Sequence, residues 1–186
     1  MSLIEVTTIA ANVITSAGIL GLVAFYIGYQ HNQKQFRFTV MISCIERFQS
    51  LLPSLRSGTV DEETLIKYID LTSEEFFYFQ NRYIPRHVTV EWLDSIIGNF
   101  PIYSETDKDR PVNYTCLRFK DVHDANMLVS YPRIQKAMTV RGTYLFPASC
   151  GNEGMDPNQK IDLIKEIGAN LGIRFKKRDF RRAMLS

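Results

Sequence analysis

Charged residues are absent from one long stretch near the start of the chain, which is the clearest pattern in the sequence. The stretch contains 24 residues, VTTIAANVITSAGILGLVAFYIGY, from Val6 to Tyr29. A helix of that length would be about 36 Å long, which exceeds the roughly 30 Å of a bilayer's hydrocarbon core. A helix also satisfies its own backbone hydrogen bonds where water is absent. We therefore predict one transmembrane helix over residues 6–29.

A cleaved signal peptide and a buried helix of a soluble domain are the alternative interpretations of this stretch. A signal peptide begins with basic residues, whereas Glu5 is the only charged residue before the stretch. Lys34, Arg37 and Arg47 follow the stretch and no Lys or Arg precedes it. The positive-inside rule therefore places residues 1–5 outside the cytoplasm and residues 30–186 inside it.

Small residues recur along the predicted membrane helix at spacings of seven, four, three and four. Membrane helices associate by close packing, which small side chains permit. The pattern predicts a packing face for another membrane protein or for a second copy of the chain, although Gly and Ala are also common in membrane helices in general. The residues of this face are Ala10, Ala17, Gly21, Ala24 and Gly28.

Apolar residues continue at helical spacing beyond the membrane stretch, and neither Gly nor Pro interrupts residues 30–52. The sequence therefore predicts one helix over residues 6–52, about 70 Å long, ending near Pro53. The apolar positions are Met41, Cys44, Ile45, Phe48 and Leu52. They form either a wall of the cytoplasmic core or a short coiled coil. We favour the core, because a coiled coil needs three to four heptads.

Further helices are predicted from capping and breaking residues. Acidic residues 61–63 suit the first turn of a second helix. Thr72 and Glu75 match a capping box, which predicts a new helix there. Thr89 is predicted to cap another helix, which Pro101 stops.

The remaining segments predict short elements. Residues 103–114, YSETDKDRPVNY, indicate an exposed loop, and residues 149–158 a second one. Helices are predicted from Pro132 and over residues 157–171, where apolar residues keep helical spacing. The predicted fold is mostly α: one N-terminal transmembrane helix continues into a small helical cytoplasmic domain over residues 30–172, followed by a basic tail over residues 173–186.

Charge is distributed unevenly along the chain. The formal net charge is +2, from 22 Lys and Arg against 20 Asp and Glu. The tail from residue 173 carries six basic residues and one acidic residue, so it is +5 and the other residues sum to −3. Such a tail binds anionic lipid, an acidic protein or nucleic acid, or remains a solvated chain end. Its basic residues are Arg174, Lys176, Lys177, Arg178, Arg181 and Arg182.

Aromatic residues concentrate in the middle of the chain, where residues 76–79 are four in succession. The cluster predicts either a helical core or a groove exposed to a partner helix. Its members are Phe76, Phe77, Phe79, Tyr83 and Trp92.

Catalytic and metal-binding patterns are absent from the sequence. Cys116 and His123 lack the paired spacing of a metal site, and Cys150 lacks a nucleophile motif. Glu74 and Glu75 are adjacent, so on a helix they point about 100° apart and suit a solvated face and a cap better than acid–base catalysis. We predict no enzyme activity, no cofactor and no bound metal.

Three segments together carry a resemblance to known proteins. They are the uncharged run 6–29, ERFQSLLPSLRSGTVDEE and EEFFYFQNRYIPRHVTVEWLDSIIGNF. In them the chain resembles uncharacterised bacterial single-pass inner-membrane proteins with a small helical cytoplasmic domain, over roughly half its length. The resemblance implies no activity and no functional residues.

These features together predict a non-catalytic, membrane-anchored adaptor or accessory subunit that holds a partner at the membrane. Its partners would be the lipid bilayer and another membrane protein or a second copy of the chain. A nucleic-acid-binding sensor or effector that uses the basic tail is the first alternative. A small enzyme whose residues converge only in the folded chain, with His87 or His123 beside a carboxylate or Cys in a pocket, is the second.

Overall fold

The structure is a computed structural model that describes residues 3–56, 61–98, 100, 102–113, 127–144 and 155–183, with the side chains of residues 3–21, 56, 107–113, 127–128 and 182 outside the description. This described part is mostly helical, as predicted. Its helices are α1 (Leu3–Arg56), α2 (Glu62–Gln80), α3 (Arg86–Ile97), a 3₁₀ helix (Met127–Ser130), α4 (Pro132–Met138), α5 (Pro157–Asn170) and α6 (Lys177–Ala183). Its strands are β1 (Ile102–Ser104), β2 (Asp107–Asn113) and β3 (Thr139–Val140).

The chain forms two compact units, Met1–Ile42 and Ser43–Ser186. The first consists of α1 residues, and α1 continues into the second. The predicted end of α1 near Pro53 is wrong, because the helix runs to Arg56. Proline removes only its own amide hydrogen bond, so the residues after it still bond to earlier carbonyls and the helix ends about one turn later.

The predicted membrane span lies at the start of α1. Among the described residues, no helix contains an 18-residue stretch apolar enough to cross a bilayer. The side chains of residues 6–21, which make up most of the predicted span, lie outside those residues.

Helix α2 begins at a side-chain cap. The Asp61 carboxylate accepts a hydrogen bond from the Thr64 amide at 2.7 Å, and Glu62 and Glu63 occupy the first turn. The predicted new helix at Thr72 is wrong, because α2 continues unbroken through this residue. Leu65, Ile69, Thr72, Phe76 and Phe79 are all buried, at spacings of four, three, four and three. Thr72 therefore continues the buried face of α2 instead of starting a helix.

Helix α3 begins four residues earlier than predicted. Its N-cap is Pro85, which has extended backbone, and Thr89 lies inside the helix with its hydroxyl donating to the Pro85 carbonyl at 3.2 Å. The fixed φ of proline is compatible with a position just before the first turn. Gly98 is the C-cap of α3.

The predicted loop at residues 103–114 is instead most of a β-hairpin. β1 pairs antiparallel with β2 and parallel with β3, in the order β2-β1-β3. Ile102 and Tyr103 of β1 are buried, whereas β2 is an edge strand of polar sequence that contains Pro111. An edge strand tolerates both proline and polar residues, so β2 has the composition of a loop.

Helices α4 and α5 agree with the predictions from Pro132 and over residues 157–171. Helix α5 ends in a Schellman motif, in which the Gly172 amide donates to the Ala169 carbonyl at 2.9 Å and the Ile173 amide to the Gly168 carbonyl at 2.7 Å. Gly172 has a φ of 75°, which glycine adopts without a steric penalty. The chain then turns into α6, which packs against α3.

The core of the second unit joins α2, α3, α4, α5 and β1. Its most deeply buried residues are apolar and come from all five elements. They include Tyr68, Ile69, Leu71, Phe76, Leu93, Ile97, Ile102, Ile134, Leu163 and Ile167.

Candidate functional site

An apolar cavity of about 270 Å³ lies among α1, α2 and α3 in the second unit. Helix α1 contributes two rows of residues four apart, and α3 contributes positions spaced three and four apart, so each helix presents one face to it. The residues that line it are Cys44, Ile45, Phe48, Gln49, Leu52, Tyr68, Glu75, Trp92, Ser95 and Ile96.

Glu75 is the unusual member of this lining. Its side chain is 7% exposed, and burial raises the pKa of its carboxyl group to about 8, with the charge of Glu74 adding to the rise and that of Arg47 opposing it. Within the described residues the carboxyl group accepts no hydrogen bond. Glu75 is therefore mainly protonated at neutral pH, and the cavity holds an acid in its neutral form.

Glu74, the neighbouring residue, has the opposite environment. Its carboxylate is half-exposed, pairs with the Arg47 guanidinium and accepts a hydrogen bond from the Tyr78 hydroxyl at 2.5 Å. Burial opposes ionisation, but the hydrogen bonds from Tyr78 and Arg47 and the charge of Arg47 outweigh it, so the pKa of Glu74 is lowered. The hydrogen bond to Glu74, with burial, raises the pKa of Tyr78 to about 12.

The two glutamates thus point in different directions, as their adjacency on a helix predicted. The prediction of a solvated helix face is correct only in part for Glu74, which is half-exposed. The prediction of a solvated face or a helix cap is wrong for Glu75, which is buried in the middle of α2. A signal for this was present in the sequence, because Glu75 follows Tyr68 and Leu71 at spacings of seven and four. Those spacings place Glu75 on the buried face of α2.

Cys44 is another titratable group of the cavity. It is buried, and desolvation, followed by the charges of Glu75 and Glu74, raises the pKa of its thiol to about 12. The thiolate is the nucleophilic form of cysteine, so Cys44 is unreactive at neutral pH.

The predicted aromatic cluster divides into a core part and a surface part. Phe76 and Phe79 are buried, and Phe79 lies 6.0 Å from Trp92 between ring centroids. Trp92 and Tyr83 are half-buried, whereas Phe77 is 41% exposed. Phe76 and Phe79 therefore belong to the core, whereas the groove for a partner helix stays a prediction.

The predicted basic tail is folded where the structure describes it. Phe180 and Asp179 of α6 are buried, and the Asp179 carboxylate accepts a hydrogen bond from the Lys176 amide at 2.8 Å. The interpretation of the whole tail as a solvated chain end is thus wrong for α6, because Phe180 packs inward. The cations Arg174, Lys176, Lys177, Arg178 and Arg181 are exposed, and the Arg182 side chain lies outside the described residues.

The predicted packing face of the membrane helix is described only at its end. The side chains of Ala10 and Ala17, together with Gly21, lie outside the described residues, whereas Ala24 and Gly28 are exposed. A Cβ added at Gly28 would meet no atom within 4 Å. The structure therefore leaves room for a partner at Gly28.

The candidate metal ligands and nucleophiles of the sequence are mostly outside the described residues. No group of three or more His, Cys, Asp or Glu side chains suited to a metal occurs among the described residues. His123, Cys116 and Cys150 lie outside them. His87 does not line the apolar cavity.

A second cavity, of about 490 Å³, lies where β1, α4, β3 and α5 meet. Arg141 and Glu105 form an ion pair across 2.9 Å at its edge. The Asn170 amide donates to the carbonyls of Ala137 and Thr139 at 3.1 and 2.6 Å. These charged and polar groups already pair within the protein. We therefore interpret the cavity as a polar contact region between secondary-structure elements.

Comparisons with known proteins assign no role to the cavities or side chains described above. No family model, no curated protein and no solved structure matches this chain.

Proposed function

We propose that this protein is a non-catalytic adaptor or accessory subunit, anchored in a membrane by residues 6–29, that holds a partner there. The observation that carries the proposal is the uncharged stretch from Val6 to Tyr29. Its described end supports it, because the large apolar side chains there are exposed, including Leu22 at 70% and Phe25 at 74%. Water disfavours such a row of side chains, whereas lipid accommodates it.

The orientation follows from the basic residues. Lys34, Arg37 and Arg47 follow the stretch, so residues 1–5 lie outside and residues 30–186 lie in the cytoplasm. In this arrangement the cytoplasm contains the apolar cavity and the basic helix α6.

Two surfaces are proposed for contacts. Within the membrane, the exposed Ala24 and Gly28 support close packing against another membrane protein or a second copy. In the cytoplasm, Phe77 is exposed and the Arg133 guanidinium lies 5.3 Å from its ring centroid, which is a pair of the kind found at protein interfaces. Anionic lipid or an acidic partner surface would neutralise the exposed cations of α6.

The anchor is tested by placing charges inside and outside the predicted span. The double variant Ile19→Lys and Leu22→Lys introduces two lysines near the centre, each costing about 2.5–3.5 kcal/mol on insertion scales. Asn32→Lys and Gln35→Lys is the matched control beyond the span, with the same spacing of three residues. We expect alkaline extraction to release the first variant from membranes and to leave the control and the native chain there. Release of the native chain would refute the anchor.

The cytoplasmic contact is tested by comparing two exposed apolar residues of α2. The exposed fractions are 41% for Phe77 and 36% for Ile66, so both tolerate serine without a loss of core packing. Full-length protein would be purified from detergent-solubilised membranes with its bound proteins. We expect Phe77→Ser to lose a partner that Ile66→Ser retains. Equal recovery in both variants would remove Phe77 from the contact surface.

Nucleic-acid binding is the second proposal, and the exposed cations of α6 favour testing it. Binding through phosphates weakens steeply with salt. The variant Arg178→Gln with Arg181→Gln should reduce binding of a single-stranded oligonucleotide at low salt, and no binding by the native chain would eliminate this function.

A further inference from the structure

A third cavity, of about 220 Å³, contains an arginine from each of three separate segments. Arg82 comes from the turn after α2, Arg86 from the first turn of α3, and Arg174 from the segment between α5 and α6. The remaining lining residues are Phe79, Ile84, Thr89, Gly172 and Ile173. No carboxylate is among the described residues that line the cavity, whereas three of them are arginines.

The three arginines have no acidic partner among the residues that the structure describes. In the described part of the chain, none of the three forms an ion pair or a side-chain hydrogen bond with another residue. Like charges gathered without a counter-charge repel one another, and this is a cost that an anion would remove. Arginine presents its donors in a planar fork that matches the oxygen atoms of a phosphate or carboxylate.

The local backbone adds to the positive potential. Helix α3 has no acidic residue in its first turn, and its N-cap, Pro85, provides no side-chain hydrogen bond to the first amides. A helix N-terminus carries a partial positive charge, so Arg86 in the first turn is unfavourable there unless an anion is present. The Thr89 hydroxyl also lines the cavity, although it donates to the Pro85 carbonyl.

Two residues that line the cavity have left-handed backbone. Arg82 has a φ of 59° and Gly172 a φ of 75°. Glycine adopts this conformation freely, whereas arginine adopts it at a steric cost. The backbone conformation at position 82 favours glycine over arginine. We therefore attribute the arginine at this position to a role of its side chain in the cavity.

We propose that this cavity binds the phosphate group of a phosphomonoester, either free in solution or as the headgroup of an anionic lipid. A volume of about 220 Å³ is below the range of roughly 300–1,000 Å³ that drug-sized ligands occupy, which suits a headgroup-sized anion. The phosphomonoester dianion matches three cations better than a singly charged carboxylate does. The inference does not depend on the membrane anchor, because it is first tested with phosphate in solution.

The test uses the full chain in a neutral detergent and titrates inorganic phosphate by calorimetry. Variants Arg82→Gln and Arg174→Gln each remove one guanidinium, and we expect each to weaken binding by about tenfold or more. Lys136→Gln is the matched control, because it removes one exposed cation from the polar cavity at α4. This control should bind phosphate as the native chain does.

Arg82→Gly separates binding from folding. Glycine suits the left-handed backbone at this position, so the variant should unfold at the same temperature as the native chain or a higher one while its phosphate binding weakens. Native-like phosphate binding by Arg82→Gly or by the glutamine variants would overturn the proposal.

The source of the phosphate is distinguished with dioctanoyl phosphatidic acid and dioctanoyl phosphatidylcholine in the same detergent micelles. Binding of inorganic phosphate that the glutamine variants weaken supports a soluble phosphomonoester. Binding of phosphatidic acid alone, lost in the same variants, supports a lipid headgroup. Binding of neither inorganic phosphate nor phosphatidic acid would overturn the proposal. Equal binding of the two lipids without any binding of inorganic phosphate would also overturn it.

Discussion

Replacement of Glu75 by Gln tests the apolar cavity most directly. The two side chains have nearly the same size, but glutamine does not ionise. Burial raises the pKa of Glu75 from 4.5 to about 8, and at about 1.4 kcal/mol for each pH unit this corresponds to about 5 kcal/mol. Because the pKa is higher in the folded state, the folded chain holds the proton more tightly than the unfolded chain does.

The direction of the pH effect follows from this difference. Below about pH 4.5 the carboxyl group is protonated in both the folded and the unfolded chain, so it does not lower the free energy of unfolding. As the pH rises to about 8, the free energy of unfolding falls progressively, because the unfolded chain releases this proton first. Glu75→Gln removes this loss. We therefore expect the variant to become more stable than the native chain as the pH rises, by up to about 5 kcal/mol between about pH 4.5 and pH 9.

The assay is urea unfolding of both full-length chains across this pH range. Trp92 is the only tryptophan of the chain and lines the same cavity, so its fluorescence reports the transition. Glu74→Gln is the matched control on the adjacent residue. Because the pKa of Glu74 is lowered below its ordinary value of 4.5, this variant should be less stable than the native chain by an amount that stays nearly constant across the assayed range. A stability difference between Glu75→Gln and the native chain that stays constant with pH would refute the buried, protonated carboxyl group.

Three further predictions concern packing and reactivity. Gly168→Ala should lower the free energy of unfolding by about 1–3 kcal/mol, since the new Cβ would lie 2.4 Å from Phe175 Cε2, and an unchanged melting temperature would contradict that contact. Asn170→Ala should cost about 1–3 kcal/mol by the same measurement, because two backbone carbonyls at the junction of α4 and β3 lose their donor. Cys44 should react with a thiol reagent only after denaturation, and rapid modification of the native chain would show that it is accessible.

Local signals in the sequence were sufficient for several helices. Pro132 and Pro157 each stand at the first position of a helix, and apolar residues follow at helical spacing. The predicted break at Thr72 was wrong, because a Thr and a Glu three residues apart also occur in the middle of a helix. The hairpin was missed since β2 is polar and its pairing with β1 is a tertiary property.

The candidate sites were less predictable than the helices. The helical spacing of apolar residues in α2 predicts that Glu75 is buried. The match of Thr72 and Glu75 to a capping box predicts instead an exposed helix start. The three-arginine cavity had no such signal, because residues 82, 86 and 174 meet only after α5 and α3 have packed. The spacing of residues along the chain indicates which of them share a face of one helix. A site formed by three separate segments can be recognised only from the folded structure.

The strand order β2-β1-β3 has a consequence for how this part of the chain assembles. β1 meets β2 across the two-residue turn 105–106, whereas its pairing of Tyr103 with Thr139 closes a much longer loop. The entropy lost on closing a loop grows with its length, so the hairpin should form first and β3 should dock last. Local opening should follow the reverse order. The Glu105 amide, which donates to the Val140 carbonyl at 2.8 Å, should then exchange its hydrogen with solvent before the amides of the α2 core do.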